Sequence, residues 1–145
     1  MSSFTLDHMQ FKSACSKFPT GVTVTTLFGR DRNPYGLTIS SFASVSLNPP
    51  LVLVCVDNRS RFRQHLEVGG LFGINVLSED QQELSIQFSR NWDERFSNVP
   101  WYVGQTGVPL LLNVMATFEC AVTDLIPAGD HVIVLGEVQC ATTRA

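Results

Sequence analysis

Short stretches of β-branched and apolar residues, separated by glycine and proline, predict that most of this chain forms β-strands. Residues 22–26 are β-branched and alternating, and residues 71–77 and 132–138 are also predicted strands. Residues 51–56 are apolar at every position, which favours a strand in the middle of the sheet with both faces covered. From 114 to 122 the even positions are apolar, so a long strand is expected to turn its even-numbered side chains inward.

Three short helices are predicted between these strands. Asp7 is placed to cap the first, whose apolar stripe is expected to lie on the wall formed by the strands. The second follows a turn at residues 57–60 and stops at a glycine pair, and the third begins with a capping box of Ser78 and Gln81. The apolar residues that these helices carry are Phe11, Ala14, Cys15, Phe18, Phe62, Leu66, Leu84, Ile86 and Phe88.

Strands of this number, joined by hairpins with only short helices, predict a mainly β fold: a small closed or nearly closed barrel. A chain of 145 residues with 44% apolar content has room for one core, so residues 1–145 are expected to form a single domain. An irregular segment is expected from Trp92 to Pro109. Its aromatic residues suit a lid over a pocket or a subunit contact.

The charge balance argues against two classes of partner. A net charge of −3 without a basic block disfavours binding to nucleic acid or to an anionic membrane, so small molecules are favoured. No apolar run approaches the roughly 20 residues of a membrane span, and the N-terminus lacks the pattern of a signal peptide, so a cytoplasmic location is expected. The four cysteines are far apart and predict neither a metal site nor a redox dithiol.

Small hydroxyl side chains are concentrated between Tyr35 and Leu53, in a stretch that otherwise has the composition of a strand. A hydroxyl that leaves water costs about 1–3 kcal/mol unless it finds a partner. Two interpretations remain open: the hydroxyls face solvent, or they face a polar ligand. The arginines and serine of the nearby segment 58–63 favour a phosphate-bearing ligand. The hydroxyl residues are Thr38, Ser40, Ser41, Ser44 and Ser46.

Five segments carry a more specific pattern. They are Phe18-Pro19-Thr20-Gly21-Val22-Thr23-Val24-Thr25, Gly36-Leu37-Thr38-Ile39-Ser40-Ser41-Phe42, Ser46-Leu47-Asn48-Pro49-Pro50-Leu51-Val52-Leu53, Phe72-Gly73-Ile74-Asn75-Val76-Leu77 and Gly129-Asp130-His131. In this order they resemble the flavin reductase-like family, and the match spans nearly the whole chain. The resemblance implies an FMN-binding split β-barrel with a few short helices packed on it.

The resemblance also implies which residues hold the flavin, FMN or FAD. The positions that match flavin contacts are Thr38, Ser40 and Ser41, those along the ribityl chain are Val56 and Asp57, and those at the phosphate end are Ser60, Arg61 and Phe62. Arg61 is supported independently, because a guanidinium group binds phosphate with two hydrogen bonds. Arg59 and Arg63 are weaker candidates, since a solvated helix face explains them equally well. Phe88 aligns with a cofactor-side residue, although a phenylalanine at helical spacing is also explained by the core.

His131 is the candidate catalytic residue. A Gly-Asp-His turn needs no chemistry of its own, because glycine and aspartate are turn residues. In the family, however, the matching histidine lies near the point where nicotinamide meets the flavin, which implies a role in NAD(P)H binding or hydride transfer. No nucleophile elbow, P-loop or Rossmann glycine fingerprint occurs in the sequence, so hydrolase, kinase and dehydrogenase activities are disfavoured.

The resemblance therefore implies an NAD(P)H:flavin oxidoreductase that uses NADH or NADPH and supplies reduced flavin to a partner monooxygenase. It also implies a homodimer. A flavin-binding electron carrier, or a degenerate split-barrel module without efficient turnover, is the alternative. One departure stands out: the family usually continues past residues 132–138 with a further strand, whereas this sequence ends at Ala145. Either the barrel keeps an open edge or the chain is truncated.

Overall fold

A computed structural model describes residues 4–144 of the chain. Strands make up just under half of this range, with two short α-helices and three short 3₁₀ helices at 61–65, 79–81 and 92–94. In chain order the helices and strands are α1 (His8–Ser16), β1 (Thr23–Phe28), β2 (Pro34–Ile39), β3 (Ala43–Leu47), β4 (Pro50–Asp57), β5 (Leu71–Val76), α2 (Gln82–Gln87), β6 (Trp101–Val103), β7 (Pro109–Leu111), β8 (Ala116–Ala128) and β9 (His131–Thr143). The predicted mainly β fold is confirmed.

Seven strands form one antiparallel sheet in the order β2-β1-β5-β8-β9-β4-β3, and β6 pairs with β7 beside it. Hairpins join β1 to β2, β3 to β4 and β8 to β9. Gly129 makes the last of these turns with a φ of 62°, a conformation that glycine adopts without strain. Strand β9 lies between β8 and β4, so the last described strand is not an edge of the sheet.

Two hydrophobic clusters hold these elements together. The larger lies inside the sheet, where Phe62 and Phe72 pack among valines of β4 and β9. The smaller joins β1 to α2 and to the end of β7, with Val24, Phe88 and Leu111 almost completely buried. Each residue of these clusters is removed from water, which is the main favourable contribution to folding. Helix α2 is therefore tied to the sheet through Phe88, the residue directly after it.

Strand β4 differs from its prediction. It is the next-to-last strand of the sheet, and its burial alternates: Val52, Val54 and Val56 are buried, while Leu51, Leu53 and Cys55 remain partly exposed. The prediction of a central strand covered on both faces is therefore wrong. An all-apolar run shows that neither face needs water, but it does not say which strands lie beside it.

Strand β8 follows its predicted alternation and buries part of its other face as well. Phe118, Cys120 and Val122, at even positions, pack in the larger cluster, as predicted. On the opposite face Thr117 and Glu119 are also buried, and Glu119 lies against the segment between β6 and β7. The register with β9 shifts between Glu119 and Cys120, where the extra residue belongs to β9.

Helix α1 begins where the sequence predicts. The carboxylate of Asp7 accepts a hydrogen bond from the Met9 N–H at 2.9 Å, as an N-cap does. None of the residues of the helix is buried, however, and Phe11 and Phe18 are 55% and 74% exposed. The prediction that its apolar stripe lies on the barrel wall is therefore wrong for the isolated chain. Periodicity indicates an apolar face without identifying what covers it.

The remaining helices agree with their predictions in place, although the one after residue 60 is a short 3₁₀ helix of 5 residues. The capping box is present, with the Ser78 N–H donating to Gln81 Oε1 at 2.8 Å. The segment predicted to be irregular contains a short hairpin, because β6 pairs with β7. Across residues 4–144, helix length and hydropathy never reach what a membrane-spanning helix requires.

Candidate functional site

The end of β4 and the start of β9 bring two predicted site residues together. Asp57 and His131 form the last pair of the β4–β9 ladder, and the Asn58 N–H donates to the Asp130 carbonyl at 3.0 Å just beyond it. The chain then turns from β4 into the 3₁₀ helix that carries Ser60 and Arg61. Residues predicted to serve the ribityl chain, the phosphate and the nicotinamide thus lie together at the end of the sheet where β4 stops and β9 starts.

Asp57 and Arg59 form an ion pair at this end of the sheet. Asp57 Oδ1 accepts from the Arg59 N–H at 2.8 Å, and Oδ2 lies 3.0 Å from Arg59 Nη2. These hydrogen bonds lower the pKa of Asp57 to about 2, so its carboxylate is charged at neutral pH. Arg59 is already paired, which makes it a weaker phosphate ligand than Arg61.

His131 is held by its sequence neighbour. Its Nδ1 lies 2.7 Å from Asp130 Oδ1, and the carboxylate can only accept, so Nδ1 carries the proton. The same hydrogen bond lowers the pKa of Asp130. The imidazole is 42% exposed, and within residues 4–144 no protein partner of Nε2 is found. Nε2 is therefore open to a ligand.

At the predicted phosphate end, Ser60 caps the 3₁₀ helix 61–65. Its Oγ accepts from the Phe62 N–H at 3.1 Å, which leaves the hydroxyl proton free to donate. Arg61 is exposed, whereas the Phe62 side chain is completely buried in the larger cluster. Phe62 anchors this turn, so contact between Phe62 and a ligand is limited to its main chain.

The three predicted hydroxyls lie in different surroundings. Thr38 Oγ1 donates to the Ser85 carbonyl, and its main-chain N–H donates to the Phe88 carbonyl at 3.2 Å, so Thr38 ties β2 to α2. Ser41 Oγ accepts from the Cys55 N–H at 2.9 Å and thereby ties the end of β2 to β4. Ser40 is exposed, and no hydrogen bond of its hydroxyl is found within the described part of the chain.

Val56 and Phe88 are placed where their side chains do not reach the surface. Val56 is 1% exposed in the larger cluster, and Phe88 is fully buried in the smaller one. A Cβ atom on Gly36 would lie 2.5 Å from the Phe88 ring, which shows how closely that ring packs against β2. Either residue can contact a flavin through its main chain only. The Phe88 side chain is therefore explained by its place in the hydrophobic core.

Sequence reasoning missed an aromatic cluster beside Arg61. Tyr35 stacks on His65 at 4.5 Å and on Trp92 at 5.0 Å between ring centroids. The guanidinium groups of Arg61 and Arg95 lie 5.3 and 5.0 Å from the Trp92 ring centroid. Trp92 stood out in the sequence as an aromatic residue in a loop, but the separations along the chain gave no sign that these five residues meet.

Three residues with unused donors fit the polar parts of a flavin nucleotide. Arg61 has no carboxylate partner within residues 4–144, and Ser60 retains a free hydroxyl proton beside it, which together suit a phosphate. Ser40 offers a free hydroxyl, as the polar edge of a ring requires. The protein itself does not use the hydrogen-bonding capacity of these residues, so their chemistry fits the phosphate and the ring edge of a flavin.

Comparisons with known proteins agree with this fit. Residues 15–145 match the family described as flavin reductase like domain. A flavin reductase (NADH) from Kitasatospora aureofaciens is 44% identical over 141 residues, which are 96% of this chain and 74% of that protein. The stachydrine N-demethylase reductase subunit Stc3 of Rhizobium meliloti is 42% identical over 138 residues. The chain spans 60% of Stc3 and 44% of another Rhizobium meliloti relative, or about half of their lengths.

Solved structures give the same result. The NADH:FAD oxidoreductase SgcE6 of Streptomyces globisporus, in complex with NAD and FAD fragments, superposes with a TM-score of 0.89 at 40% identity, covering 95% of this chain and 83% of that one. BorF, the flavin reductase component of a bacterial tryptophan halogenase, superposes at 0.86 with 39% identity, covering 96% of this chain and 89% of BorF. The fold is the split barrel of these reductases. The chain belongs to the flavin reductase like domain family.

Proposed function

We propose that this protein is an NAD(P)H:flavin oxidoreductase that binds FMN or FAD. The observation that carries the proposal is that His131 lies beside the 57–61 segment, where β4 ends and β9 begins. Family membership and the relatives named flavin reductase (NADH) and NADH-dependent FAD reductase support it. When bound, the flavin supplies the redox chemistry: it accepts a hydride from the reduced nicotinamide.

The predicted site residues then have distinct tasks. Ser60 and Arg61 hold the phosphate of the flavin, with Arg61 supplying the positive charge. Ser40 and the main chain around it bond to the polar edge of the ring. His131, fixed by Asp130, presents Nε2 to the nicotinamide and positions that ring for transfer. Asp57 keeps Arg59 folded against the turn and so shapes the segment that carries Ser60.

We further propose that the reduced flavin serves a partner monooxygenase. Relatives carry names of this kind: HsaB of Mycobacterium tuberculosis is a monooxygenase reductase subunit, and an Acinetobacter baylyi relative is the reductase component of trigonelline monooxygenase. The first is 37% identical over 134 residues and the second 38% over 134. The cytoplasmic location expected from the sequence stays a prediction.

A homodimer is part of this proposal. Helix α1 and the residues before it leave large apolar side chains in water, with Met9 80% and Phe4 94% exposed. Trp101 and Tyr102 on β6 are 37% and 40% exposed. A soluble monomer rarely leaves such surfaces uncovered. A second copy of the chain that packs against α1 would bury the apolar residues that one copy leaves exposed. Sedimentation at micromolar concentration tests this proposal, and a monomer would contradict it.

The alternative is a flavin-binding carrier without efficient turnover. Both functions predict that the purified protein gains a flavin absorbance band when FMN or FAD is added. They differ in catalysis, because only a reductase oxidises NADH or NADPH repeatedly in the presence of free flavin and oxygen. Flavin binding without nicotinamide oxidation would favour the carrier, and no binding of either flavin would contradict both.

A further inference from the structure

Arg61 lacks the polar contacts that usually fix an arginine side chain. It is exposed, and within residues 4–144 neither a carboxylate partner nor a hydrogen bond of its guanidinium group is found. Its neighbour Arg59, by contrast, is fixed by Asp57, with Nη2 3.0 Å from Oδ2. A free arginine side chain has many rotamers, and binding a phosphate restricts them at a cost in free energy. A contact that orders Arg61 before the ligand arrives lowers that cost.

The contact that Arg61 does make is with the ring of Trp92. Its Cζ lies over the indole, 5.3 Å from the ring centroid. An aromatic face attracts a cation within about 6 Å, and tryptophan attracts it most strongly. Burial, and then the charge of Arg61, lowers the pKa of Arg95, which lies over the same indole. The negative face of the ring offsets part of the repulsion between these two guanidinium groups.

The indole of Trp92 is itself held by contacts that do not involve Arg61. Tyr35 stacks on it, with 5.0 Å between ring centroids and an interplanar angle of 13°. Arg95 lies over it at 5.0 Å and is fixed in turn. The Arg95 guanidinium donates to the carbonyls of Gly36 and Arg90 at 2.8 and 2.9 Å. The ring is therefore a fixed surface, and Arg61 is the mobile partner in the contact.

The backbone around Trp92 is fixed at both ends. The 3₁₀ helix 92–94 begins at Asn91, whose side chain accepts from the Asp93 N–H at 3.2 Å. After the helix, the side-chain amide of Gln87 donates to three carbonyls between residues 94 and 97, at distances of 2.9 to 3.2 Å. These hydrogen bonds keep the segment, and with it the indole, in one position.

A stacked arginine still has its donors available. A guanidinium group is planar and its five N–H groups lie in that plane, so contact through its face leaves its edge for a phosphate. Ser60, directly before Arg61, has a hydroxyl proton that suits the same ligand. His65 ends the helix 61–65 and stacks on Tyr35 at 4.5 Å, which joins this helix to the aromatic cluster. The ring contact and a phosphate contact are therefore compatible.

We propose that Trp92 is a positioning residue: it orders Arg61 for the flavin phosphate and does not touch the ligand itself. The inference rests on the proposed function, which assigns that phosphate to Ser60 and Arg61. It goes further by assigning part of the affinity for phosphate to a ring from a distant segment of the chain. Because Tyr35 and Arg95 already pack on the indole, Trp92 acts through Arg61.

Two flavins that differ only in the phosphate test this role. FMN carries the phosphate and riboflavin does not, so a residue that acts through Arg61 affects FMN alone. Trp92→Leu is expected to raise the Kd for FMN about 2- to 30-fold, the range for a cation–π contact, and to leave the Kd for riboflavin unchanged. Trp101→Leu, at the other tryptophan of the chain, is the matched control and should preserve the ratio of the two Kd values. Equal weakening of both flavins, or an unchanged Kd for FMN, overturns the proposal.

A double-mutant cycle shows whether the effect of Trp92 passes through Arg61. In the Arg61→Ala protein the guanidinium group is gone, so Trp92→Leu should not weaken FMN binding further. The same loss in both backgrounds overturns the proposal. If Trp92→Leu does not fold, Trp92→Phe takes its place in the cycle, because it keeps a smaller ring. Its weaker cation–π contact should give a smaller loss of FMN affinity, which must also vanish without Arg61.

The order of Arg61 can also be measured without any ligand. NMR relaxation of its Nε–H group reports the mobility of the guanidinium. We expect higher mobility in Trp92→Leu than in the unsubstituted protein or in Trp101→Leu, and equal mobility in all three overturns the proposal.

NADH oxidation by the same proteins separates this proposal from the proposed function. Flavin reduction by NADH without a phosphate-specific effect of Trp92 retains the proposed function and removes the positioning role. A phosphate-specific effect without NADH oxidation retains the positioning role in a flavin carrier and contradicts the reductase.

Discussion

Asp57 and His131 are directly opposite each other at the end of the β4–β9 ladder. This pairing joins two predictions made from distant parts of the sequence, one for the flavin and one for the nicotinamide. Asp57 leads into the turn that carries Ser60, and His131 begins the strand that returns beside it. The proposed reaction needs both ligands next to each other, and this pair is where the chain brings their predicted contacts together.

His131→Ala is expected to slow flavin reduction or to raise the KM for NADH, and to leave flavin affinity nearly unchanged, because the two ligands use different contacts. Stopped-flow reduction by NADH at saturating flavin measures it. His8→Ala, at the exposed start of α1, is the matched control. A variant with the normal rate and the normal dependence on NADH would assign His131 to the turn alone.

Arg61→Ala is expected to weaken binding of both FMN and FAD by about 1–3 kcal/mol, the range for loss of a charge-assisted hydrogen bond. The rate at saturating flavin should change little, since the phosphate is remote from the reacting ring. Equilibrium titration of flavin absorbance measures the affinity, with Arg144→Ala as control. An unchanged Kd would place the phosphate on other groups, such as Arg63 or main-chain amides.

Thr25 offers a prediction about stability. Its hydroxyl is fully buried in β1 and has no hydrogen-bond partner among the described residues. Thr25→Val keeps the shape and removes this unsatisfied group, so it should raise the free energy of unfolding by about 1–2 kcal/mol. Thr23→Val is the matched control, since Thr23 Oγ1 donates to the Ile39 carbonyl at 2.8 Å, and it should lower stability. Denaturant unfolding measures both, and opposite signs are required.

Glu119 links the pH dependence of stability to the β6–β7 hairpin. It is 2% exposed, and its Oε1 accepts from the N–H and hydroxyl of Thr106 at 2.8 and 2.7 Å. Burial alone would raise its pKa, but the hydrogen bonds from Thr106 and Gln105 outweigh burial and lower the pKa below 4.5. Because the folded pKa is the lower one, this carboxylate stabilises the fold above pH 4.5 and loses that effect as the pH falls.

Glu119→Gln should therefore lower the free energy of unfolding at pH 7 by about 1–3 kcal/mol, and should flatten its fall in acid. Urea unfolding at a series of pH values measures the effect. Glu137→Gln on β9 is the control, since Glu137 is partly exposed and no hydrogen bond of its carboxylate is found within residues 4–144. Equal acid sensitivity of the Glu119 variant and the unsubstituted protein would contradict this role.

Local patterns predicted the parts of the fold that depend on local chemistry. The cap at Asp7, the capping box at Ser78 and the turn at Gly129 each place a polar or flexible residue where the backbone requires it, and all three are confirmed. The shift between Glu119 and Cys120 was not predictable, because the apolar alternation continues through it. The burial of Glu119 depends on donors between β6 and β7, which lie elsewhere in the chain.

The candidate site likewise contains residues that short segments predicted and residues that only the fold brings together. The family motif predicted Ser60, Arg61 and His131 as site residues from short segments, and their surroundings leave donors and acceptors unused, as a ligand site requires. The aromatic cluster of Tyr35, His65 and Trp92 joins residues far apart in sequence, and only the folded chain brings them together. The exposure of α1 depends on what covers it, and a single sequence does not contain that information.

Anaerobic mixing with NADH tests the central claim most directly. The purified protein is saturated with FMN or FAD, mixed rapidly with NADH, and followed by the flavin absorbance band. The proposed function predicts that the band is lost in a fast phase whose rate saturates with NADH, that one NADH is consumed per flavin, and that His131→Ala slows this phase. If the absorbance band decays no faster than that of free flavin mixed with NADH in the absence of protein, the assignment as a flavin reductase is contradicted.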